Sequence, residues 1–450
     1  MRRSIVLVAV SLALLAAGPA EAASVKPRTL DVKVGPFTTD LSVLRRGSEV
    51  YASWSEGTVG DNDKAVVFDA ATGRLVREIK RDGATAVEVL GDGWTQRRRQ
   101  TQDTLLVLTE KIKDTKDPND PLRVRDVADG KLIAELTANE KPLAVLRQKD
   151  GVLLLSGGQN IVPGADKLSY ALRMFMQGTD KPRWSVDIPA ATPAPPDNPF
   201  VNVATTLSPD GRWVTAVRDK VLYLIDAETG RLRSVDIERG EGPIGVGFSA
   251  DSSKLYVAGG NYQIAEHRSA DLSLLRRIAV PDRYTVRHIV ERESGRVLEL
   301  DGRRQTMFLD TATSQFVRHD RGGSVSSYTL AWLGNGNVLR ASKTRRSPIT
   351  YGVYRHENGK FRQLYRREWK GGSMDALTWS PNGRCILMSG GGKTMIMGPL
   401  TGGEVVPLEV KGDGLGAAVF ARDGRVVVTP DGAGKLLSYA MPGQCHSKVE

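Results

Sequence analysis

TTLSPDGRWVTAVRDKVLYLIDAETGRLRSV, residues 205–235, reads as four short strands with two tight turns, Ser208-Pro209-Asp210-Gly211 and Asp226-Ala227-Glu228-Thr229-Gly230. Asp, Asn and Gly tolerate the positive backbone angles of tight hairpins, and proline presets the first turn dihedral. One such unit cannot bury its faces alone, so the fold depends on whether it recurs.

Both turns recur. The first returns in FSADSSKLYVAG (248–259), ERESGRVLEL (291–300), WLGNGNVLRAS (332–342), WSPNGRCILMS (379–389) and FARDGRVVVTP (420–430). Weaker forms stand in LRRGSEVYASW from 44, LGDGWTQ from 90 and RQKDGVLLLSG from 147. The second follows in step as VFDAATGRL (67–75), VRDVADGKL (124–132), LIDAETGRL (224–232), HRSADLSLL (267–275), FLDTATSQF (308–316), YRHENGKF (354–361) and GPLTGGEV (398–405). From Gly211 onward the first turn comes back every 40–47 residues or so, the period of one propeller blade. Between turns the chain alternates or runs apolar, as in KVLYLID and RVVVTP, with little helical periodicity. Repeated four-stranded sheets of this size close into a ring. Nine first turns are visible, whereas rings commonly hold four to eight blades, so the expected count is eight within a range of seven to nine. The last blade lacks an outer strand after KLLSYAMPGQ, and RTLDVKVG near the N-terminus is the candidate to supply it.

With these two turns the chain resembles the WD40-like and YVTN-type bacterial β-propellers, over roughly residues 30–450. The resemblance implies an all-β, single β-propeller of four-stranded blades and leaves activity open, because propellers host unrelated functions. The Gly-His and Trp-Asp dipeptides of eukaryotic WD40 blades are missing. FDAATGRL and IDAETGRL also resemble the start of the quinoprotein repeat A-x-D-x-x-T-G-x-x-x-W, but Arg77 and Ser234 stand where its tryptophan belongs. No cofactor is therefore carried over, and close kinship with the outer-membrane assembly propeller that shares the motif loses support.

The N-terminus reads MRRSIVLVAVSLALLAAGPAEAASVKP: two arginines, an apolar run from Ile5 to Ala17, a Gly18-Pro19 break and Ala20-Glu21-Ala22. This predicts an export signal over residues 1–22, cleaved after Ala22. The alternative, an uncleaved anchor, needs about 20 apolar residues to span a bilayer. Arg2-Arg3 keeps the twin-arginine route open beside the ordinary one. The expectation is a single propeller domain over residues 23–450, periplasmic or secreted, without a transmembrane segment and monomeric. The prolines of 189–200 read as a crossover within the ring rather than an interdomain linker. Cys385 and Cys445 are the two cysteines of the chain, in keeping with an exported protein. They either form a disulfide that pins the C-terminal segment to the body of the fold, the assignment adopted, or stay as two buried thiols.

Several lookalikes fail. Gly392-Lys393-Thr394 matches the end of a phosphate loop, but Leu387 occupies the position of its first glycine and TMIMG reads as a strand where a helix is needed. His267, His288, His319, His356 and His446 show no local metal-ligand spacing. There is no G-x-S-x-G elbow. Asp61-Asn62-Asp63 and Asp117-Pro118-Asn119-Asp120 complete no EF-hand pattern.

What remains is charge. The formal net charge is +11, and removing Arg2, Arg3 and Glu21 with the signal leaves 61 basic against 51 acidic residues. Such a surface attracts anions. The arginines cluster at Arg97-Arg98-Arg99, Arg303-Arg304, Arg345-Arg346 and Arg366-Arg367, and guanidinium forks bind phosphate and carboxylate bidentately. Arg97, Arg98, Arg99, Arg345 and Arg346 are the best binding candidates, because both groups fall in apparent loops. The expected function is an exported propeller that recruits a protein or an anionic glycan, not a specific nucleic acid, through its loop face. The alternative is a lactonase-like hydrolase or dehydrogenase subunit with its site at the channel mouth, which requires carboxylates and histidines converging there. A sensor-like propeller beside a membrane partner is a third reading that no residue separates from the first.

Overall fold

A computed structural model describes residues 26–33, 37–43, 49–55, 64–79, 86–89, 106–111, 121–126, 129–137, 140–148, 151–160, 169–179, 181–188, 203–218, 220–237, 245–259, 262–281, 286–302, 305–320, 325–334, 336–344, 349–369, 376–390, 394–399, 406–408, 418–431 and 434–446. The signal at 1–22, the proline-rich stretch 189–200 and both acidic loops lie outside the described residues.

Among the described residues the strands pair into nine antiparallel four-stranded units, numbered here as blades 1 to 9. Blades 1 to 8 span residues 37–79, 86–136, 140–188, 204–236, 245–279, 288–320, 325–368 and 376–408. Blade 9 takes three strands from 419–440 and its outer strand, Arg28–Lys33, from the other end of the chain, with Arg28 opposite Ser438 and Thr29 opposite Leu437. Nine blades, not the central expectation of eight, is the upper end of the expected range. The weak turn motifs from 44, 90 and 147 each join the first and second strands of a real blade, so none was surplus.

The first strand of each blade faces the ring centre. The first strands of blades 3, 4, 5 and 6 adjoin in succession, as do those of blades 8, 9 and 1, and those of blades 5 and 6 come close enough to pair in parallel at Val246 and His288. Because side chains alternate across a strand, each sheet buries one face against the blade before it and the other against the blade after. The second strand of blade 4, Trp213–Arg218, is buried along its whole length. Its Val214 and Ala216 pack with Leu153, Leu155 and Met174 of blade 3, while Trp213 and Val217 pack with Phe248 and Leu255 of blade 5. That two-sided burial explains why the strands read as apolar runs. The ring closes in the same way, with Val50, Ala52, Val66 and Phe68 of blade 1 against Leu30, Val419, Val428 and Leu436 of blade 9.

The turn residues have specific tasks. Ser208 Oγ donates to Asp210 Oδ1 at 2.6 Å and accepts from the Trp213 amide at 2.8 Å, closing the first hairpin. Ser249 with Asp251 and Ser380 with Asn382 repeat the device. In the second turn Asp226 Oδ1 accepts from the amide and hydroxyl of Thr229, as Asp69 does with Thr72 and Asp310 with Thr313. Gly211 has φ +73°, and a Cβ there would lie 2.3 Å from Gln148 Nε2 of blade 3. Glycine is thus favoured by the positive φ of the turn, and a larger residue would also displace the Gln148 side chain.

Cys385, in the second strand of blade 8, is disulfide-bonded to Cys445 beyond blade 9, across 60 residues of sequence. Asn382 Nδ2 donates to the carbonyls of Gln444 and His446, both at 2.8 Å, tying down the same tail. Thr394 opens the strand Thr394–Pro399, so Gly392-Lys393-Thr394 precedes a strand and not a phosphate-binding helix.

Two outcomes are expected in urea unfolding. Leu30→Ala removes a buried closure side chain, 3% exposed, and should lower stability by about 2–5 kcal/mol, far above the effect of Thr29→Ala beside it. Replacing Cys385 and Cys445 together by alanine should cost about 2–4 kcal/mol, and adding reductant should then change nothing further.

Candidate functional site

Blade 7 holds an arginine-lined cleft. Its second strand is Asn337–Thr344, its third Thr350–Glu357 and its fourth Lys360–Glu368. The register places Arg340 opposite Gly352, and Gly352 opposite Arg366. Directly opposed residues share a sheet face, so two guanidiniums flank a residue without a side chain. A Cβ on Gly352 would lie 2.6 Å from the Tyr365 carbonyl oxygen, which keeps the position glycine. The cleft between them is about 70 Å³ and is completed by Thr350, Tyr351 and Tyr354.

The electrostatics of this cleft are one-sided. Arg366 Nη2 donates to Thr350 Oγ1 at 3.3 Å. Arg340 Nε is buried and has no hydrogen-bond partner. A buried donor attached to a permanent charge is costly to leave unsatisfied. Among the described residues neither carboxylate nor imidazole lines the cleft. Its chemistry is that of a small oxyanion receptor: two forked cations, a hydroxyl and a phenol.

Several other arginines among the described residues are paired with carboxylates. Arg296 Nε donates to Asp310 Oδ2 at 2.8 Å, Arg276 Nε to Glu266 Oε2 at 2.8 Å, and Arg173 Nη1 to Glu140 Oε2 at 2.8 Å. Asp126 binds Arg147 of the next blade. The first three pairs lie within blades 6, 5 and 3, and the last joins blades 2 and 3.

One seam has the look of a catalytic constellation. His356, at the end of the third strand of blade 7, has Nε2 2.7 Å from Asp310 Oδ2 and Nδ1 2.7 Å from Glu293 Oε2, both carboxylates belonging to blade 6. Asp310 is fully buried and His356 is 4% exposed, so the group faces protein rather than solvent. Burial pushes the Asp310 carboxyl up, but bonds from Arg296, from the amide and hydroxyl of Thr313 and from His356 outweigh it and hold it well below the ordinary carboxylate range. This is an inter-blade latch.

Of the five histidines, His288 alone sits on an innermost strand, His288–Arg292, opposite Asp301. Burial pushes its pKa below the ordinary imidazole value, Asp301 opposing and Arg287 reinforcing that shift. Among the described residues no three His, Cys, Asp or Glu side chains are grouped to hold a metal ion, and no helix is long and apolar enough to cross a membrane.

The sequence-predicted arginines Arg97, Arg98, Arg99, Arg345 and Arg346 lie outside the described residues, as do Arg303 and Arg304. The strand ends that flank them are described. Val89 and Leu106 bound the connection from first to second strand in blade 2, whereas Thr344 and Thr350 bound that from second to third in blade 7. Thr350 itself lines the cleft. Arg366 was visible in sequence as part of a pair, but its neighbour Arg367 turns to the other sheet face, where it lies 5.8 Å from the Tyr365 ring. Arg340 carried no signal, being a lone arginine in a strand.

No family model and no curated protein matches this chain. Among solved structures it is similar to the C-terminal WD40 domain of Sif2, with TM-score 0.46 and 12% identity over 80% of this chain and 97% of that one. It is also similar to BamB from Moraxella catarrhalis, with TM-score 0.41 and 10% identity over 93% and 100%. A third is KlHsv2 with loop 6CD replaced by a Gly-Ser linker, with TM-score 0.42 and 9% identity over 74% and 99%. The blade architecture described above is that of a β-propeller of four-stranded blades.

A carboxyl held below its unfolded value stabilises the fold above that value and loses its contribution as the pH falls through it. The urea midpoint should therefore drop as pH falls below about 4. Asp310→Asn should lower the midpoint at pH 7 and flatten this acid limb, the two proteins converging near the bottom of the range.

Proposed function

We propose that this chain is an exported bacterial propeller of the WD40-like, YVTN type, and that it recruits an anionic partner, a glycan or an acidic protein face, through blade 7. The observation that carries this reading is the pair Arg340 and Arg366 across Gly352, a charged cleft with no carboxylate among its described lining residues and with one guanidinium nitrogen buried and unpartnered. A phosphate, sulfate or carboxylate on the partner would satisfy that donor and neutralise both cations. Arg345 and Arg346 lie between Thr344 and Thr350 in sequence and are assigned an auxiliary role in the same recognition. Arg97, Arg98 and Arg99 belong to a separate stretch of sequence and are assigned a secondary role. The excess of basic residues over the whole chain favours encounter with anionic surfaces. Export rests on the signal-like residues 1–22.

The reading is tested by calorimetric titration of the mature protein with a sulfated oligosaccharide, a phosphorylated glycan and an acidic peptide. At least one should bind, more weakly as salt rises. Arg340→Gln with Arg366→Gln should reduce its affinity tenfold or more at an unchanged melting temperature, and Arg345→Glu with Arg346→Glu should reduce it less. Changing Arg97, Arg98 and Arg99 to glutamate should leave it within twofold. Equal binding by the double glutamine variant, or no binding by any of the three probes, would refute the role of this cleft.

A further inference from the structure

A second opening lies on the outer wall, between blades 4 and 5. Its volume is about 390 Å³, within the range of small-molecule sites. The outer strand of blade 4, Leu232–Asp236, forms one side, and the strands Lys254–Ala258, Gln263–Arg268 and Leu274–Ala279 of blade 5 form the rest. Val235, Ile237, Val257, Ala265, Leu272 and Leu274 make the lining chiefly apolar. Leu274, though it lines the groove, is 48% exposed, so its side chain has apolar surface left to cover.

His267 also lines this groove and is only 6% exposed. Its Nδ1 lies 2.9 Å from the Leu272 carbonyl oxygen. A carbonyl can only accept, so Nδ1 carries the hydrogen of that bond and the tautomer is set by the turn. Nε2 is then the open position, and it is buried without a hydrogen-bond partner. In the neutral ring it presents a lone pair, which asks for a donor. Buried polar atoms are almost always satisfied, and one that is not calls for a ligand or an ordered water.

The rim is balanced in sign, with Asp236 on one side and Arg277 on the other. A neutral guest is favoured over an ion. This opening therefore differs in kind from the arginine cleft of blade 7, and it stands independently of the function proposed above.

We propose that the groove between blades 4 and 5 is a binding site for a small neutral amphipathic molecule with an aliphatic or aromatic body and one hydroxyl, the hydroxyl donating to His267 Nε2. Val257, Ala265 and Leu274 take the body, and burial of apolar surface supplies the affinity.

The test uses matched probes, 4-ethylphenol with ethylbenzene and 1-hexanol with hexane, read by nitrogen NMR of the histidine rings and by saturation-transfer NMR. Binding of a hydroxylated probe should move the His267 Nε2 resonance and leave Nδ1 nearly unmoved, and its hydroxyl-free counterpart should bind at least tenfold more weakly. His267→Asn keeps a side-chain donor for the Leu272 carbonyl and removes the second ring nitrogen; it should bind the hydroxylated probe at least tenfold more weakly with its melting temperature preserved. Ala265→Phe, which fills the groove, should abolish binding. The proposal is overturned if neither hydroxylated probe binds up to its solubility, or if Nε2 does not respond at saturation, which would leave that nitrogen to water. Equal affinity of the folded His267→Asn variant would overturn it as well.

Discussion

The ladder between Arg28–Lys33 and Lys435–Ala440 is the contact on which the other eight blades depend. Each blade can bury both its faces only if it has a neighbour on both sides, so an open row of sheets would leave two apolar faces in water. Closing the row by hydrogen bonds between the two ends of the chain satisfies the outer edge of blade 9 and brings its sheet against blade 1. The energy of closure is therefore shared: loss of the ladder exposes not one strand but the faces of two sheets. The disulfide and the Asn382 bonds act beside this seam, holding the last residues of the chain to blade 8.

Around the ring the seams use two kinds of contact. Apolar side chains meet in the middle of the sheets, and paired charges or capped turns meet near the ends. Glu291, for example, accepts from the Tyr256 hydroxyl and from the Ala250 amide of blade 5 at 2.9 and 2.7 Å. Glu140 is bonded by Arg173, Thr137 and Ser156 together. In such groups each buried oxygen has its donors, and the favourable term is geometric definition as much as energy. The latch at His356 belongs with them, since its carboxylates come from the neighbouring blade and one of them also caps a turn.

Arg340 and His267 break that pattern. Each has one buried nitrogen without a partner, and each lines an opening. Among the described residues Gln177 Nε2 is also buried without a partner, but only Arg340 and His267 combine that with a place in the lining of an opening, which is what directs their polarity at something other than the fold. Their surroundings differ in sign and dryness, two cations in blade 7 and an apolar wall between blades 4 and 5. That difference separates an oxyanion from a neutral alcohol as guest.

The repeat, the all-β class and the identity of the closing strand were legible in sequence, because turn chemistry is local: Ser208, Asp210, Gly211, Asp226 and Gly230 fold their own hairpins whatever lies beyond them. The blade count was legible too, but the weak motifs near 47, 91 and 150 were discounted against the usual size of rings, a rule about other proteins rather than about these residues. The sites were not legible. Arg340 and Arg366 are 26 positions apart in the chain, and only the register of three strands sets them across Gly352. His267 looked like any turn histidine, because nothing in sequence shows that its second nitrogen is buried beside a groove made partly by another blade. Local hydrogen bonding thus determined the units. Strand register and the packing of blade on blade, which bring together residues distant in the chain, decided where a partner could be held.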